Sequence, residues 1–219
     1  GSLKTPDLET ILGAGVDFAI LSSNIAEHAD IGSALEGAGV PCAYFDVETF
    51  DDYLRVLKVF TGITGREDLY QQNGADVQAR VEAAIARKEG REAPTVLFLR
   101  AYSTGVRAKG SDNMTGEMLK DLGCINIADS EDSLLEDLSL EVILEQDPDF
   151  IFVTTMGASE EAAMASLDEL LLSNPAWASL TAVQEGHFHL LPKDLFHLKP
   201  NARWGESYEI LADYLYGEA

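Results

Sequence analysis

One phrase occurs twice in this chain. Residues 6–21 read PDLETILGAGVDFAIL, and residues 138–153 read LSLEVILEQDPDFIFV. Superimposed on Glu9 and Glu141, Leu8 meets Leu140, Ile11-Leu12 meets Ile143-Leu144, and Asp17-Phe18 meets Asp149-Phe150. Each copy has apolar residues at helical spacing, then a turn, then an apolar run of strand length. A parallel strand buried on both faces needs a helix to return the chain to the same end of the sheet. A chain that writes helix–turn–buried strand in both halves is therefore held to two equivalent α/β lobes.

The remaining segments repeat the alternation. Residues 29–47 read as a helix, a glycine-rich exit and the strand PCAYFDV. Residues 49–65 form a helix with Tyr53, Leu54, Leu57, Val59 and Phe60 on its apolar positions, closed by Gly62 and Gly65. Residues 66–89 keep helical spacing through Leu69, Val77, Val81 and Ile85. Strands follow at 95–103, 150–155 and 187–192, separated by helices over 115–123, 138–146 and 160–175, and a helix over 204–217 ends the chain. The expected fold class is α/β: two Rossmann-like lobes with mostly parallel sheets, joined by one long bridging helix. The expected boundaries are a partial N-terminal lobe at 1–65, the bridging helix at 66–89 and a C-terminal lobe at 90–219.

Charge narrows the partners. Asp and Glu outnumber Lys and Arg by 38 to 15, which disfavours nucleic acid, because phosphate binding needs a basic face. Yet the cations are not spread evenly: residues 121–192 hold no Lys or Arg at all. Six of the 15 basic residues fall in two loops that follow strands, LRAYSTGVRAKGSDN at 99–113 and LPKDLFHLKPNARW at 191–204. These are Arg100, Arg107 and Lys109 in the first, and Lys193, Lys199 and Arg203 in the second. Ligands of α/β lobes bind outside the carboxyl ends of strands. Guanidinium groups grip carboxylate or catecholate oxygens in pairs, and Tyr102, Phe196 and Trp204 can stack on a flat ligand. Arg100, Tyr102, Arg107, Lys109, Phe196, His197, Arg203 and Trp204 are the candidate ligand-binding residues. His197 can hydrogen-bond the ligand or ligate a metal within it, or serve the fold alone.

No catalytic motif stands out. The chain has no phosphate-cradling GxxxxGK[ST], no GxSxG and no CxxC. The two GAGV segments, at 13–16 and 37–40, follow helices and read as helix caps. His187 and His189 alternate on a strand without an acidic or thiol partner close in sequence, and His28 lies among acids in AEHAD. Neither makes a metal site, so none is expected. Cys42 and Cys124 lie in different lobes and read as free thiols.

The doubled LE-x-IL…PDF phrase, one long connecting helix and the stretch NPAWASLTAVQEGHFHLLP (174–192) resemble the ABC-transporter substrate-binding proteins for iron complexes and vitamin B12. The resemblance covers essentially the whole chain and implies a binding protein, not an enzyme. It carries no resident cofactor; its cargo would be a ferric siderophore or haem, with a corrinoid as the alternative. A doubly wound α/β enzyme is the rival from another class. The resemblance implies an extracytoplasmic monomer, periplasmic or a cell-surface lipoprotein, that captures its ligand between the lobes. It also gives Glu9 and Glu141 a role, docking onto arginines of a dimeric permease in the membrane. The residues alone allow a plainer reading, in which each glutamate complements the dipole at a helix start. Set against this family, the N-terminal lobe is expected to be incomplete, short of about one βαβ unit.

Overall fold

A computed structural model describes every residue except Leu3, Asp137, Ala158, Glu218 and Ala219. The chain divides into two compact units, Gly1–Val59 and Phe60–Ala219. Among the described residues no helix is long and apolar enough to cross a membrane.

The first unit contains α1 (Leu8–Gly13), β1 (Ala19–Ser22), α2 (Glu27–Gly37), β2 (Cys42–Phe45) and the first part of α3 (Phe50–Thr64). Asp7 starts α1 by accepting the Thr10 N–H at 2.7 Å. The strands β1 and β2 pair in parallel, with Leu21 opposite Tyr44. Leu21 and Tyr44 face α2 at Gly32, where a Cβ would stand 1.8 Å from the Tyr44 hydroxyl, so only glycine lets the helix lie this close. Phe18 and Ile20, of opposite parity, are 47% and 53% exposed.

The second unit opens with α4 (Glu67–Tyr70), a π turn over Gln71–Ala75 and α5 (Asp76–Ala86), so the stretch read as a bridging helix is helical over most of its length. Val77, Val81 and Ala84 form its buried stripe. It packs along the last helix, α12 (Trp204–Tyr216). Arg80 holds Glu209 through two hydrogen bonds, and Arg87 reaches Asp213 and the Ala212 carbonyl.

The sheet of this unit follows α5 in the chain. It comprises β3 (Thr95–Tyr102), β4 (Gly105–Ala108), β5 (Ile125–Asn126), β6 (Phe150–Thr155) and β7 (Phe188–Leu190). Its order is β4-β3-β6-β7, with β5 also on β3. All pairs are parallel but one, β3 with β4. This hairpin departs from the sequence pattern, which places residues beyond 103 in a loop. Its cause is period-2 alternation: Leu99, Ala101, Val106 and Ala108 are buried on one face while Arg100 and Arg107 pair on the other.

The helices α6 (Met114–Asp121), α7 (Asp132–Glu136), α8 (Leu140–Gln146), α9 (Glu160–Leu167), α10 (Thr181–Gln184) and α11 (Lys193–Phe196) complete the unit. One face of the sheet packs Leu97, Leu99, Ile151 and Val153 against Ile143, Leu167, Trp177 and Leu180. The strand β6 is buried at all six positions, as a central parallel strand should be. Two stretches differ in local geometry from the expectation. Residues 160–175 leave α-geometry after Leu167 for a π turn over Asp168–Leu172. The segment after Pro192, read as a loop, contains α11 and a 3-10 turn over Asn201–Arg203.

Cys42 and Cys124 are both free thiols, and burial pushes Cys124 up to about 12.

Candidate functional site

The carboxyl ends of β3 and β6 carry polar residues inside an otherwise apolar sheet. Arg100 on β3 stands in register with Thr154 on β6. Arg100 passes over the Phe98 ring, with its guanidinium carbon 5.7 Å from the ring centroid, and donates to Asn113 Oδ1 at 3.0 Å. Its Nε is buried without a hydrogen-bond partner among the described residues, and so is the hydroxyl of Thr154, which is fully buried. Two unsatisfied polar atoms on neighbouring strands at one register are costly, since each buried unpaired group loses about 1–3 kcal/mol.

Asn113 is built to hold the arginine. It caps α6 by accepting the Gly116 N–H at 3.3 Å and donates its amide to the Gly110 carbonyl at 2.7 Å. That leaves Oδ1 turned to Arg100. The loop folds tightly over the helix start: a Cβ on Gly116 would lie 2.2 Å from the Gly110 carbonyl oxygen.

His197 lies beside the same cations. Partial burial, then the charges of Arg100 and Lys193, hold its imidazole below the ordinary 6.5. Lys193 itself donates to the Gly157 carbonyl, just beyond the end of β6. α11 is tied beneath α6, because the Thr115 hydroxyl donates to the Phe196 carbonyl at 2.7 Å. Arg100, Asn113, Thr154, Lys193 and His197 thus form one polar, cationic cluster at the carboxyl ends of the strands.

The other predicted residues divide into four groups. Tyr102 and Arg107 line a cavity of about 580 Å³ at the hairpin edge, together with Thr104, Glu136 and several leucines. Phe196 and Trp204 are core side chains, 0% and 1% exposed, with Trp204 tilted against Tyr208. Arg203 is committed to its neighbours, gripping Glu206 through two nitrogens at 2.7 and 2.8 Å and Asp194 through a third at 2.5 Å. Those carboxylates push its pKa further up. Lys109 follows β4, and its backbone bonds Phe98 and Asn126.

The sequence reading missed Thr154 as a site residue. The signal was present in FIFVTT, where an apolar strand closes on two threonines that the core does not need. The histidines elsewhere serve the fold. His28 accepts the Ser22 N–H at 3.0 Å. His187 stacks on Phe150 at 4.2 Å, and His189 stacks on Tyr214 at 3.9 Å. Among the described residues no group of three or more His, Cys, Asp or Glu is arranged to hold a metal ion.

Glu9 and Glu141 occupy equivalent places. Each is exposed, in the first turn of its helix, two residues after a capping side chain, Asp7 in one and Ser139 in the other.

Comparison with known proteins agrees with this architecture. The model of a family of periplasmic binding proteins matches residues 1–195. No curated protein matches the chain at the sequence level. Solved structures share the fold. An ABC transporter substrate-binding protein from Listeria monocytogenes EGD-e superposes with a TM-score of 0.73 at 21% identity, over 99% of this chain and 83% of the other. A possible iron-binding, periplasmic solute-binding protein from Staphylococcus epidermidis gives 0.76 at 19%, over 98% and 82%. The periplasmic haem-binding protein HutB of Vibrio cholerae gives 0.76 at 20%, over 99% and 83%.

Proposed function

The chain belongs to the periplasmic binding protein family, and from that membership we propose that it is the substrate-binding component of an ABC importer for an anionic iron complex. It works outside the cytoplasm as a monomer, takes its ligand at the carboxyl ends of the strands and hands it to a membrane permease.

One observation carries the ligand class. In a chain of net charge −23, Arg100, Lys193 and a neutral-leaning His197 converge where Arg100 Nε and the Thr154 hydroxyl lack hydrogen-bond partners among the described residues. The surrounding acidity repels anions, so a local cationic cluster is selective for a ligand that brings negative charge to it. Oxygen-rich ferric chelates and haem propionates have that chemistry. Solved proteins of the same fold include ones named as haem-binding and as possibly iron-binding, which supports the same choice. Tyr102, Arg107 and Lys109 are assigned to the rim of the site. Phe196 and Trp204 are assigned to the packing beneath it. Glu9 and Glu141 are assigned to the permease contact, because both stand exposed on equivalent helix starts.

The test is equilibrium binding by tryptophan fluorescence or calorimetry, using haem, ferric citrate, a ferric catecholate and cyanocobalamin. Saturable binding of one ferric ligand or haem, weakened in Arg100→Ala, is the expected result. Binding of cyanocobalamin alone moves the assignment to corrinoids. No binding of any of the four overturns the transport reading.

A further inference from the structure

The sheet face opposite Arg100 borders a cavity that the cationic cluster does not use. Val106 on β4 is buried with Leu97 and Leu99, while Arg107 beside it shares the other face with its cross-strand partner Arg100. The cavity of about 580 Å³ at the hairpin edge touches Val106, α7, the start of α8 and the π turn over Asp168–Leu172. Leu134 and Leu171 meet it as members of the core. Leu135 and Leu170 on its wall are instead 39% and 52% exposed. Glu136, also exposed, lines the cavity next to Leu135. The lining is therefore mixed, with apolar surface left in contact with water and an acid at its edge.

Charge decides what can cover it. Residues 121–192, which supply α7, α8 and the π turn, contain no Lys or Arg. Asp132 and Glu136 on α7, Glu141 next to the cavity residue Leu140, and Glu169 next to Leu170 are all exposed and make no ion pair among the described residues. Aliphatic surface bordered by such carboxylates fits a long cationic side chain, with its stem on the leucines and its head at the acids. A second copy of this chain is a poor source of that cation. Its net charge is −23, and its Arg66, Arg80, Arg87 and Arg203 are already held by its own carboxylates. An anionic lipid surface is repelled for the same reason.

We infer that this cavity docks a basic segment of the membrane permease, whose arginine or lysine side chain enters along Leu135 and Leu170 to meet Glu136. This rests on the transport reading above and extends the contact assigned to Glu141 from one exposed carboxylate to a pocket beside it. A cavity of this size admits a long side chain together with its chain neighbours. The two parts of the wall do different things. The carboxylates steer the basic segment and fix its register, which salt weakens. The leucines, once covered, exclude water around the entering side chain and hold it.

The experiment measures binding of the full chain to its cognate permease in lipid nanodiscs by biolayer interferometry. Leu135→Ser/Leu170→Ser and Glu136→Lys should each weaken that binding about 10-fold, with circular dichroism and affinity for the ferric ligand as in wild type. Raising the salt should weaken wild type and the leucine variant alike, and Glu136→Lys less steeply. Glu185→Lys makes the same charge change before β7, at the opposite edge of the sheet from β4, and should bind as wild type does. An equal loss in Glu185→Lys means that net charge alone acts, and overturns the inference. Wild-type affinity in both cavity variants also overturns it, and leaves the transport reading intact where Glu9→Lys/Glu141→Lys still abolishes binding. A wild-type dimer in sedimentation that the leucine variant dissolves puts a second copy in the cavity and overturns it too. Failure of wild type to bind the permease or any ligand of the earlier panel removes the transport reading and this inference with it.

Discussion

Asp149 and Thr95 hold each other across two strands. One carboxylate oxygen of Asp149 accepts both the backbone N–H and the hydroxyl of Thr95, each at 2.7 Å, and the Thr95 hydroxyl accepts the Asp149 N–H at 3.1 Å. Thr95 begins β3 and Asp149 immediately precedes β6. The clamp sets the register that brings Arg100 opposite Thr154 five steps later. A one-residue slip in that pairing would turn every side chain of the slipped strand to the other face.

Thr95→Val keeps the shape and removes the hydroxyl. It should cost about 1–2 kcal/mol, allowing for an exposed pair of bonds. For a unit of this size that is a fall in Tm of roughly 2–8 °C. Because register is also held by the buried strand faces, the site should survive. Circular dichroism melting and ligand titration check both statements, and an unchanged Tm would show the clamp to be idle.

Gly116→Ala sets two effects against each other. Glycine inside a helix is about 1 kcal/mol worse than alanine, so the substitution ought to stabilise. Here the new Cβ would lie 2.2 Å from the Gly110 carbonyl oxygen and 2.8 Å from the Ser111 Cα, both backbone atoms. Backbone cannot yield as a side-chain tip can, so the clash should win. The expected outcome is a lower Tm, and also weaker ligand binding, since Asn113 is displaced with the loop that orients it toward Arg100. A rise in Tm would mean that the loop shifts freely and does not fix the site.

The doubled phrase made the two-lobe α/β plan legible, because a helix followed by a buried strand has few ways to pack. It did not disclose why its Asp is there. The role of Asp149 depends on Thr95, 54 residues away, and no local pattern links them. The hairpin was missed for a related reason. The alternation of Leu99, Ala101, Val106 and Ala108 was readable, but Gly105 and the basic residues between them look like a ligand loop. Arg100 and His197 were legible as a scarcity of charge placed after strands. Phe196 and Trp204 were not, since burial is set by how α11 and α12 pack and not by the aromatic neighbours they have in sequence.

Arg100 should be the residue on which ligand affinity turns. Arg100→Ala removes a charge and the bond to Asn113, and should weaken binding of the ferric ligand about 10–100-fold, as for loss of one charge-assisted bond. Arg100→Lys keeps the charge but not the planar fork, so it should restore only part of the loss. Isothermal titration of the three proteins gives the order wild type, lysine, alanine. Equal affinity of the alanine variant would remove Arg100 from the site.

Charge reversal at Glu9 and Glu141 separates docking from capture. Both side chains are exposed, in helices whose starts are fixed by Asp7 and Ser139. Replacing them with lysine costs only the local dipole term, a few tenths of a kcal/mol to about 1 each. The double variant should bind ligand with unchanged affinity yet fail to support uptake by cells expressing the cognate permease. Normal uptake would reduce both glutamates to helix-start residues.

Acid sensitivity should come from two histidines. His197 is held below 6.5 by partial burial and by the charges of Arg100 and Lys193, and His189 by partial burial and by His187. In both, the unfolded chain takes up a proton at a higher pH than the folded one does. The unfolded state therefore binds more protons in the window below 6.5, and stability rises with pH across it. Above 6.5 neither group contributes a slope. As pH falls below 6.5 stability is lost, and the loss levels off once pH passes beneath the folded values. His189 stacks on Tyr214 and Phe152 with its Nε2 buried and without a hydrogen-bond partner among the described residues, so His189→Phe keeps the stack and removes the titration. That variant should show a shallower fall in Tm between pH 7.5 and 5 than wild type. His197 behaves differently once an anion is bound. The ligand offsets the charges of Arg100 and Lys193, so His197 should gain proton occupancy on binding, seen as a buffer-dependent enthalpy near pH 6. Binding without proton uptake, together with an unaltered slope in His189→Phe, would place the acid sensitivity elsewhere in the chain.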